Sequence, residues 1–183
     1  MPRLTSQDWV RAAAGMLAEH GVEGLRVEPL ARRLGVSKGS FYWHFADRNA
    51  LLATVLSDWE ARGTEAIIAA IDEHDCGADE RLWRLMERVF GGPLLHDQFE
   101  TAIRAWGTQD PAVGATIDRV DQRRLGYVAR LLTDAGVGRA EAKRRAQILY
   151  ATLVGEFFMR SHGGSKLPQA TLRSLHRMLL AGP

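Results

Sequence analysis

The sequence predicts an all-α protein: an N-terminal three-helix helix-turn-helix domain followed by a longer C-terminal helical bundle. Apolar residues recur at helical spacing through almost the whole chain, and no segment shows the alternation of a strand. Helix caps, prolines and glycine turns divide this pattern into nine segments. Hydrophobic residues make up 46% of the 183 residues, enough for a sizeable core. We place the domain boundary after residue 47, which gives domains 1–47 and 48–183.

The first three helices are short, and local signals set their limits. Thr5 and Asp8 form a possible capping box before the first helix, and Gly21 is expected to end it. The second helix is predicted at about 27–34 and the third at about 37–45, with a glycine turn between them.

Six longer helices are predicted for the C-terminal part. Asp47 is expected to cap a long fourth helix that breaks near His74. Asp110 followed by Pro111 is a strong start signal for the seventh helix, because proline suits the first helical position. The fifth to ninth helices are predicted at about 79–90, 95–106, 111–134, 140–160 and 168–181.

Residues 27–45 have the pattern of two helices joined by a tight turn, which in DNA-binding proteins places the second helix in the major groove. Gly35 is expected to take a positive φ in the turn, and Ser37 to cap the second helix. Apolar side chains should fix the angle between the helices; they are Leu30, Leu34, Val36, Phe41 and Phe45.

The second helix of this motif leaves polar and aromatic residues facing outward, namely Lys38, Gly39, Ser40, Tyr42, Trp43 and His44. Their hydroxyl, imidazole and ammonium groups can donate to phosphates, and Lys38 can also reach a guanine edge. The glycine permits close approach to a base, and the tryptophan can contact a thymine methyl group. The alternative is that Tyr42 and Trp43 belong to the core.

Composition and charge limit the cellular compartments and the binding partners that are expected for this protein. The formal net charge is only +2, but the segment from Arg26 to Arg48 holds five basic residues against two acidic ones. No apolar run is long enough to span a bilayer, so we expect no membrane contact. The single cysteine, Cys76, fits a reducing compartment and excludes an internal disulfide. We therefore expect a cytoplasmic protein.

The helix-turn-helix segment resembles that of the TetR family of regulators. The family pattern appears here as GVSKGSFYWHF from Gly35, followed by Arg48 and Leu51, and the resemblance covers about Asp8 to Val55. It implies phosphate contacts from Ser40, Tyr42, His44 and Arg48, and base reading by Lys38, Gly39, Ser40 and Trp43. Family members often have Ser or Thr where the second helix begins; this chain has Arg26, which we expect to substitute electrostatically.

The resemblance also implies a function. Such a chain is expected to be a homodimeric transcriptional regulator, most often a repressor, that a small-molecule effector releases from double-stranded operator DNA. Two recognition helices about 34–36 Å apart would match a palindromic or near-palindromic operator.

The eighth predicted helix is apolar on two faces and must therefore be buried on two sides. One side can belong to its own core and the other to a partner subunit, in line with the family's dimerisation through its last two helices. The expected interface residues are Ile148, Thr152, Gly155, Met159, Leu172, Leu175, Met178 and Leu179. The alternative is a helix buried entirely within one monomer.

An effector pocket is expected among the aromatic and charged residues of the bundle, namely Trp59, Trp83, Met86, Phe90, Phe99, Arg104, Trp106, Arg124, Tyr127, Glu156 and Phe157. Core packing is the alternative for each of them. A buried charge needs a partner, so we hypothesise that Glu156 pairs with Arg124 or Arg104 at the pocket rim. Alternatively, these side chains reach solvent. His96 is a further candidate.

Other classes of protein are less well supported. The sequence has no paired histidines at metal-ligand spacing, no phosphate-binding glycine loop and no nucleophile elbow. We therefore expect neither enzymatic activity nor a metal or cofactor. A DNA-binding adaptor whose second domain responds to a protein remains an alternative.

Overall fold

The computed structural model describes residues 4–182, and the regular structure within that range is entirely helical, which confirms the predicted fold class. The helices are α1 (Ser6–Gly24), α2 (Val27–Arg33), α3 (Lys38–Phe41), α4 (Arg48–Glu60), a π-helix (Ala61–Glu65), α5 (Ala66–Asp72), α6 (Ala78–Phe90), α7 (Leu94–Gly107), α8 (Pro111–Asp134), α9 (Arg139–Ser161) and α10 (Gln169–Leu180). None of these helices combines the length and apolarity needed to cross a lipid bilayer.

The predicted helix starts are present as hydrogen-bonded caps. The Thr5 side chain accepts from the Asp8 amide, and the Asp8 carboxylate accepts from the Thr5 amide, so the capping box is complete. The Asp47 carboxylate accepts from the Ala50 amide at 2.8 Å, and Asp110 caps α8 in the same way. Each cap satisfies amides that have no partner inside their helix.

Three helix limits differ from the sequence prediction. The backbone leaves the helical conformation at Gly21, which takes φ 67°, but a further turn of helix then extends α1 to Gly24. Helix α3 ends at Phe41, because the chain turns there toward the cap of α4. The predicted long fourth helix contains the π-helix, in which Gly63 and Thr64 both accept hydrogen bonds from the Arg124 guanidinium. The spacing of apolar residues within a helix carries no information about a contact between residues so far apart in the sequence.

Two hydrophobic clusters form the core, and the first of them extends across the predicted domain boundary at residue 47. The first combines residues of α1–α4 with Ile103 and Trp106 of α7 and the first half of α8. The second joins α5, α6, the second half of α8, α9 and α10. The N-terminal helices therefore pack directly against α7 and α8, so that a shift of α7 must be felt in the N-terminal part.

Candidate functional site

The turn between α2 and α3 is fixed by backbone geometry and by an aromatic contact. Gly35 takes φ 69°, as predicted, and the Val36 amide donates to the Ala31 carbonyl at 3.0 Å. Phe41 is completely buried and meets the Trp9 ring edge-on, with 5.4 Å between ring centroids. Helix α3 is thereby held in one orientation against α1.

The aromatic residues that follow α3 lie on the surface. The Trp43 side chain is 82% exposed and Tyr42 is 54% exposed, whereas Phe41 and Phe45 are buried. The alternative that Tyr42 and Trp43 belong to the core is therefore wrong. Tyr42 and Trp43 together expose two neighbouring aromatic rings, and contiguous exposed apolar surface of this kind is typical of an interaction site.

Lys38 does not extend freely into solvent. Its Nζ donates to Glu28 Oε1 at 2.7 Å, and both side chains are exposed. The hydrogen bond and charge of Lys38 lower the pKa of the Glu28 carboxyl. Gly39 has no side chain, so nothing projects from the surface next to Lys38. A Cβ added at Gly39 would meet only Ser37 Oγ, at 3.7 Å. Ser40 is half-buried beside it.

The remaining predicted DNA contacts occupy different environments. Arg26 is exposed before α2, and its side chain makes no cap hydrogen bond. Ser37 is exposed at the N-cap position of α3, but its hydroxyl makes no cap hydrogen bond, contrary to the expectation. His44 is half-buried, and its ring centroid is 6.3 Å from that of Trp9. It therefore lies at the edge of the N-terminal core.

Arg48 was expected to contact phosphate, but the structure gives it an internal partner. Its Nε donates to the Leu25 carbonyl at 2.7 Å, and Nη2 donates to the Val22 carbonyl. The side chain thus joins the first turn of α4 to the end of α1. Arg48 therefore positions the start of α4 against α1, and its contact with phosphate stays a prediction.

Two glycine substitutions separate the folding role of the turn from the surface role of α3. Gly35→Ala should lower the free energy of unfolding by about 1–2 kcal/mol, because an L-residue is strained at φ 69°. Gly39→Ala is the matched control, since its Cβ finds ordinary contact distance. It should retain stability but lose affinity for DNA. Urea denaturation of both variants checks this, and equal stabilities would contradict the predicted role of Gly35.

A cavity of about 60 Å³ lies among the π-helix and helices α5 to α9. Most of its lining is aliphatic or aromatic, and its polar residues are Thr64, His96, Glu100, Arg124, Tyr127 and Tyr150. Typical ligand sites are roughly 300–1,000 Å³, so a bound molecule would have to displace side chains. No group of three potential metal-binding residues occurs between residues 4 and 182.

A buried ion pair forms the polar end of this cavity. Arg124 Nη2 donates to Glu100 Oε1 at 2.9 Å, and the Trp59 indole donates to the same oxygen at 2.9 Å. Glu100 is only 1% exposed. Burial raises the pKa of the Glu100 carboxyl, but the charge and hydrogen bonds of Arg124, with the Trp59 indole, outweigh it and hold this pKa below its usual range. The pair is therefore ionised.

A second ion pair continues the network toward α7 and α8. Arg104 donates to both carboxylate oxygens of Asp121 at 2.9 Å, and the Tyr150 hydroxyl donates to Asp121 at 2.6 Å. Burial raises the pKa of Tyr150 to about 12 despite the neighbouring arginines Arg104 and Arg124. Helices α7, α8 and α9 are thus tied together by charges beside the cavity.

Five of the predicted effector residues line this cavity, namely Met86, Phe90, Arg124, Tyr127 and Phe157. Six do not. Trp59 lies behind Glu100, Phe99 and Trp106 pack in the first cluster, and Trp83 lies under Arg173 of α10. Arg104 pairs with Asp121, and Glu156 faces the chain after α9.

The hypothesis that Glu156 pairs with an arginine is wrong. Glu156 is buried, but its Oε1 accepts from the Leu167 amide at 2.6 Å and so fixes the α9–α10 connection. Sequence reasoning missed Glu100, which is the true partner of Arg124. The available signal was its place on an apolar stripe of α7, three residues before Ile103.

Candidate dimer contacts separate into exposed and buried residues. Ile148, Met159 and Met178 are 58%, 54% and 70% exposed, and Gly155 is exposed beside a half-buried Thr152. By contrast, Leu172 and Leu179 are buried in the second cluster, and Leu175 packs against it. Leu172 and Leu179 therefore pack within their own chain, whereas Leu175 is only half-buried. Phe158, 58% exposed, was not among the predicted contacts.

Comparison with known proteins identifies the N-terminal segment. The family model "Bacterial regulatory proteins, tetR family" matches residues 10–55. The class A tetracycline repressor of transposon 1721 from Escherichia coli is 36% identical over 84 residues, which are 46% of this chain and 35% of that protein. The match thus spans about a third of that relative. The regulator BetI of Cronobacter sakazakii is 23% identical over 182 residues, covering 96% of this chain and 88% of BetI.

Solved structures show the same fold over nearly the whole chain. A transcriptional regulator of Rhodococcus sp. RHA1 superposes with a TM-score of 0.76 at 19% identity, covering 97% of this chain and 94% of that one. FadR of Bacillus subtilis, solved in complex with stearoyl-CoA, gives a TM-score of 0.74 at 18% identity, covering 98% of this chain and 100% of FadR. The tetR match in residues 10–55 lies on the helix-turn-helix whose side chains are described above, so this N-terminal segment of the chain is similar to the bacterial regulatory proteins of the tetR family.

Proposed function

We propose that this protein is a repressor that binds a palindromic or near-palindromic operator as a homodimer and releases it when a small molecule occupies the cavity. The observation that carries the proposal is the exposure of Tyr42 and Trp43, directly after the rigidly held α3 that bears Lys38. These groups supply the phosphate donors and apolar base contact that a recognition helix needs.

In the free protein Lys38 forms an ion pair with Glu28. DNA binding through Lys38 would have to break this pair. Glu28 would then face the phosphates as an uncompensated negative charge. Glu28→Gln should therefore raise affinity for non-specific DNA several-fold at low salt, an effect that fades as salt screens the repulsion. Fluorescence anisotropy with a random duplex measures this. Unchanged affinity would mean that Glu28 lies outside the interface.

Dimerisation is supported by the exposed apolar side chains of α9 and α10. Arg145 of α9 donates to the carbonyls of Leu179 and Ala181, so that the two helices form one unit. Large apolar groups exposed together on such a unit are typical of a subunit interface. A partner subunit would bury the side chains of Ile148 and Met178, which are exposed in the single subunit.

Charges on this surface should separate the subunits. The double substitution Ile148→Glu and Met178→Glu is expected to give a monomer at micromolar concentration, because carboxylates would be buried without partners. Sedimentation velocity measures the mass. Leu95→Glu is the matched control, since Leu95 is 51% exposed on α7, outside the proposed interface, and should leave the dimer intact. A dimer that survives the double substitution would place the interface elsewhere.

Two routes connect the cavity to the DNA-binding helices. Gly63 and Thr64 line the cavity within the π-helix that directly continues α4. Glu100 lines it from α7, one helical turn before Ile103, which packs in the N-terminal cluster. A ligand larger than the cavity would push against the π-helix and α7 and so shift α4 and α7. A preference of about 100-fold for the shifted state corresponds to about 2.7 kcal/mol.

The experiment for release combines two measurements on the same compounds. DNA from the promoter beside the protein's own gene is the first operator candidate, and binding is followed by mobility shift. Compounds that raise the melting temperature of the dimer should also dissociate this complex. If stabilising compounds leave the complex intact, release by a ligand is contradicted, and the adaptor alternative gains support.

A further inference from the structure

Building on the proposal that the cavity is the effector site, we infer that its ligand is an uncharged, largely apolar molecule that places one hydrogen-bonding group against His96. The inference deepens the proposed function by naming the chemical class of the effector. It depends on the charge balance of the cavity, on the lining imidazole of His96, which has no hydrogen bond within residues 4–182, and on where His96 lies.

The charges that line the cavity are already compensated. The Arg124 guanidinium donates five hydrogen bonds. Its Nε donates to Thr64 Oγ1, and its Nη1 donates to Glu100 Oε2 and to the Tyr150 hydroxyl. Its Nη2 donates to the Gly63 carbonyl and to Glu100 Oε1. All five N–H groups are therefore occupied. A ligand cation or anion would lose its water without finding a free countercharge, which strongly disfavours either ion.

His96 is the polar lining side chain that has no hydrogen bond among the described residues. The other hydroxyls are occupied, since Tyr127 donates to Asp72 and Tyr150 donates to Asp121. His96 Nε2 lies 4.0 Å from Glu100 Oε1, too far for a hydrogen bond. A neutral ligand hydroxyl or carbonyl could satisfy this imidazole without disturbing the ion pair.

The position of His96 also orients the ligand. Together with Gly63, Ile67 and Val89, it lines both the cavity and a surface groove between α4 and the α6–α7 connection. These four residues thus form a partition shared by the cavity and the groove. The polar group of a ligand would lie at this partition, and its apolar body would point inward along Phe157, whose ring packs edge-on against His96 at 5.5 Å.

Three probes of matched shape test the charge preference. Isothermal titration should show that para-tert-butylphenol binds about tenfold or more tightly than para-tert-butylbenzoate or para-tert-butylbenzylammonium. An ion of either sign that binds as tightly as the phenol would overturn the inference. So would the absence of binding by all three at millimolar concentration.

Two variants test whether His96 and Glu100 cause the preference for the uncharged probe. His96→Leu should weaken the phenol about tenfold while leaving para-tert-butyltoluene, which has no hydrogen-bonding group, unaffected. Glu100→Gln leaves Arg124 uncompensated, so the benzoate should become the preferred probe. The His96 substitution removes a partly exposed side chain, so it keeps the test decisive if the Glu100 variant fails to fold. Equal losses for phenol and toluene would contradict the role of His96.

Operator release is measured in parallel with the same probes. If the phenol binds with the expected pattern and the DNA complex persists, the ligand class holds and the release proposal fails. If the probes release DNA equally well from the wild type and from His96→Leu, without the expected charge preference, the ligand class is wrong and release by a small molecule stands.

Discussion

Replacing Lys38 and Tyr42 together with alanine should weaken operator binding by about 100-fold and flatten its dependence on salt. Both side chains are exposed, so the substitutions remove donors to DNA without opening the core. Each dimer would lose two lysines, and the slope of log affinity against log salt should fall in magnitude by about two. Fluorescence anisotropy at several salt concentrations measures both quantities.

Lys143→Ala is the matched control for this variant, because Lys143 is exposed on α9, far along the chain from the helix-turn-helix. It should leave the affinity and the salt slope within twofold of wild type. Circular dichroism should show the same helix content in all three proteins. A double variant that binds the operator as tightly as wild type would remove α3 from the DNA interface.

Replacing Glu100 with alanine should cost about 3–5 kcal/mol of the free energy of unfolding, the largest loss expected from a single substitution here. The reason is that Arg124, whose pKa is raised by Glu100 against the effect of burial, would keep its charge without a partner. Urea denaturation measures the loss. A change below about 1 kcal/mol would mean that water or another acid replaces Glu100.

The control for this prediction removes both charges. Glu100→Leu combined with Arg124→Met should recover much of the lost stability, because a buried pair can be replaced by apolar residues more easily than it can be broken. Acid provides a second check. The Glu100 pKa is depressed in the folded state, so its contribution is present above the unfolded value of about 4.3 and is lost as the pH falls toward the folded value. The double variant should lack this component.

Local signals were sufficient for the helix-turn-helix. The positive φ of Gly35, the buried positions of Phe41 and Phe45 and the cap at Asp47 follow from residue type and spacing within a few positions. The exposure of Trp43 followed as well, because the inward positions were already filled. Arg48 was different. Its carbonyl partners are 23 and 26 residues earlier in the chain, so residue type alone could not show that it faces inward.

The sequence by itself determined the helical fold, the caps at Thr5, Asp47 and Asp110 and the glycine turn before α3, since these depend on contacts within one or two helical turns. Only the tertiary structure decided which charges meet. Arg124 is paired with Glu100, 24 positions away, and with a π-helix 60 positions away, while Glu156 was diverted to a loop amide. Periodicity reports that a charge lies on an apolar face, but its partner is chosen by how whole helices pack.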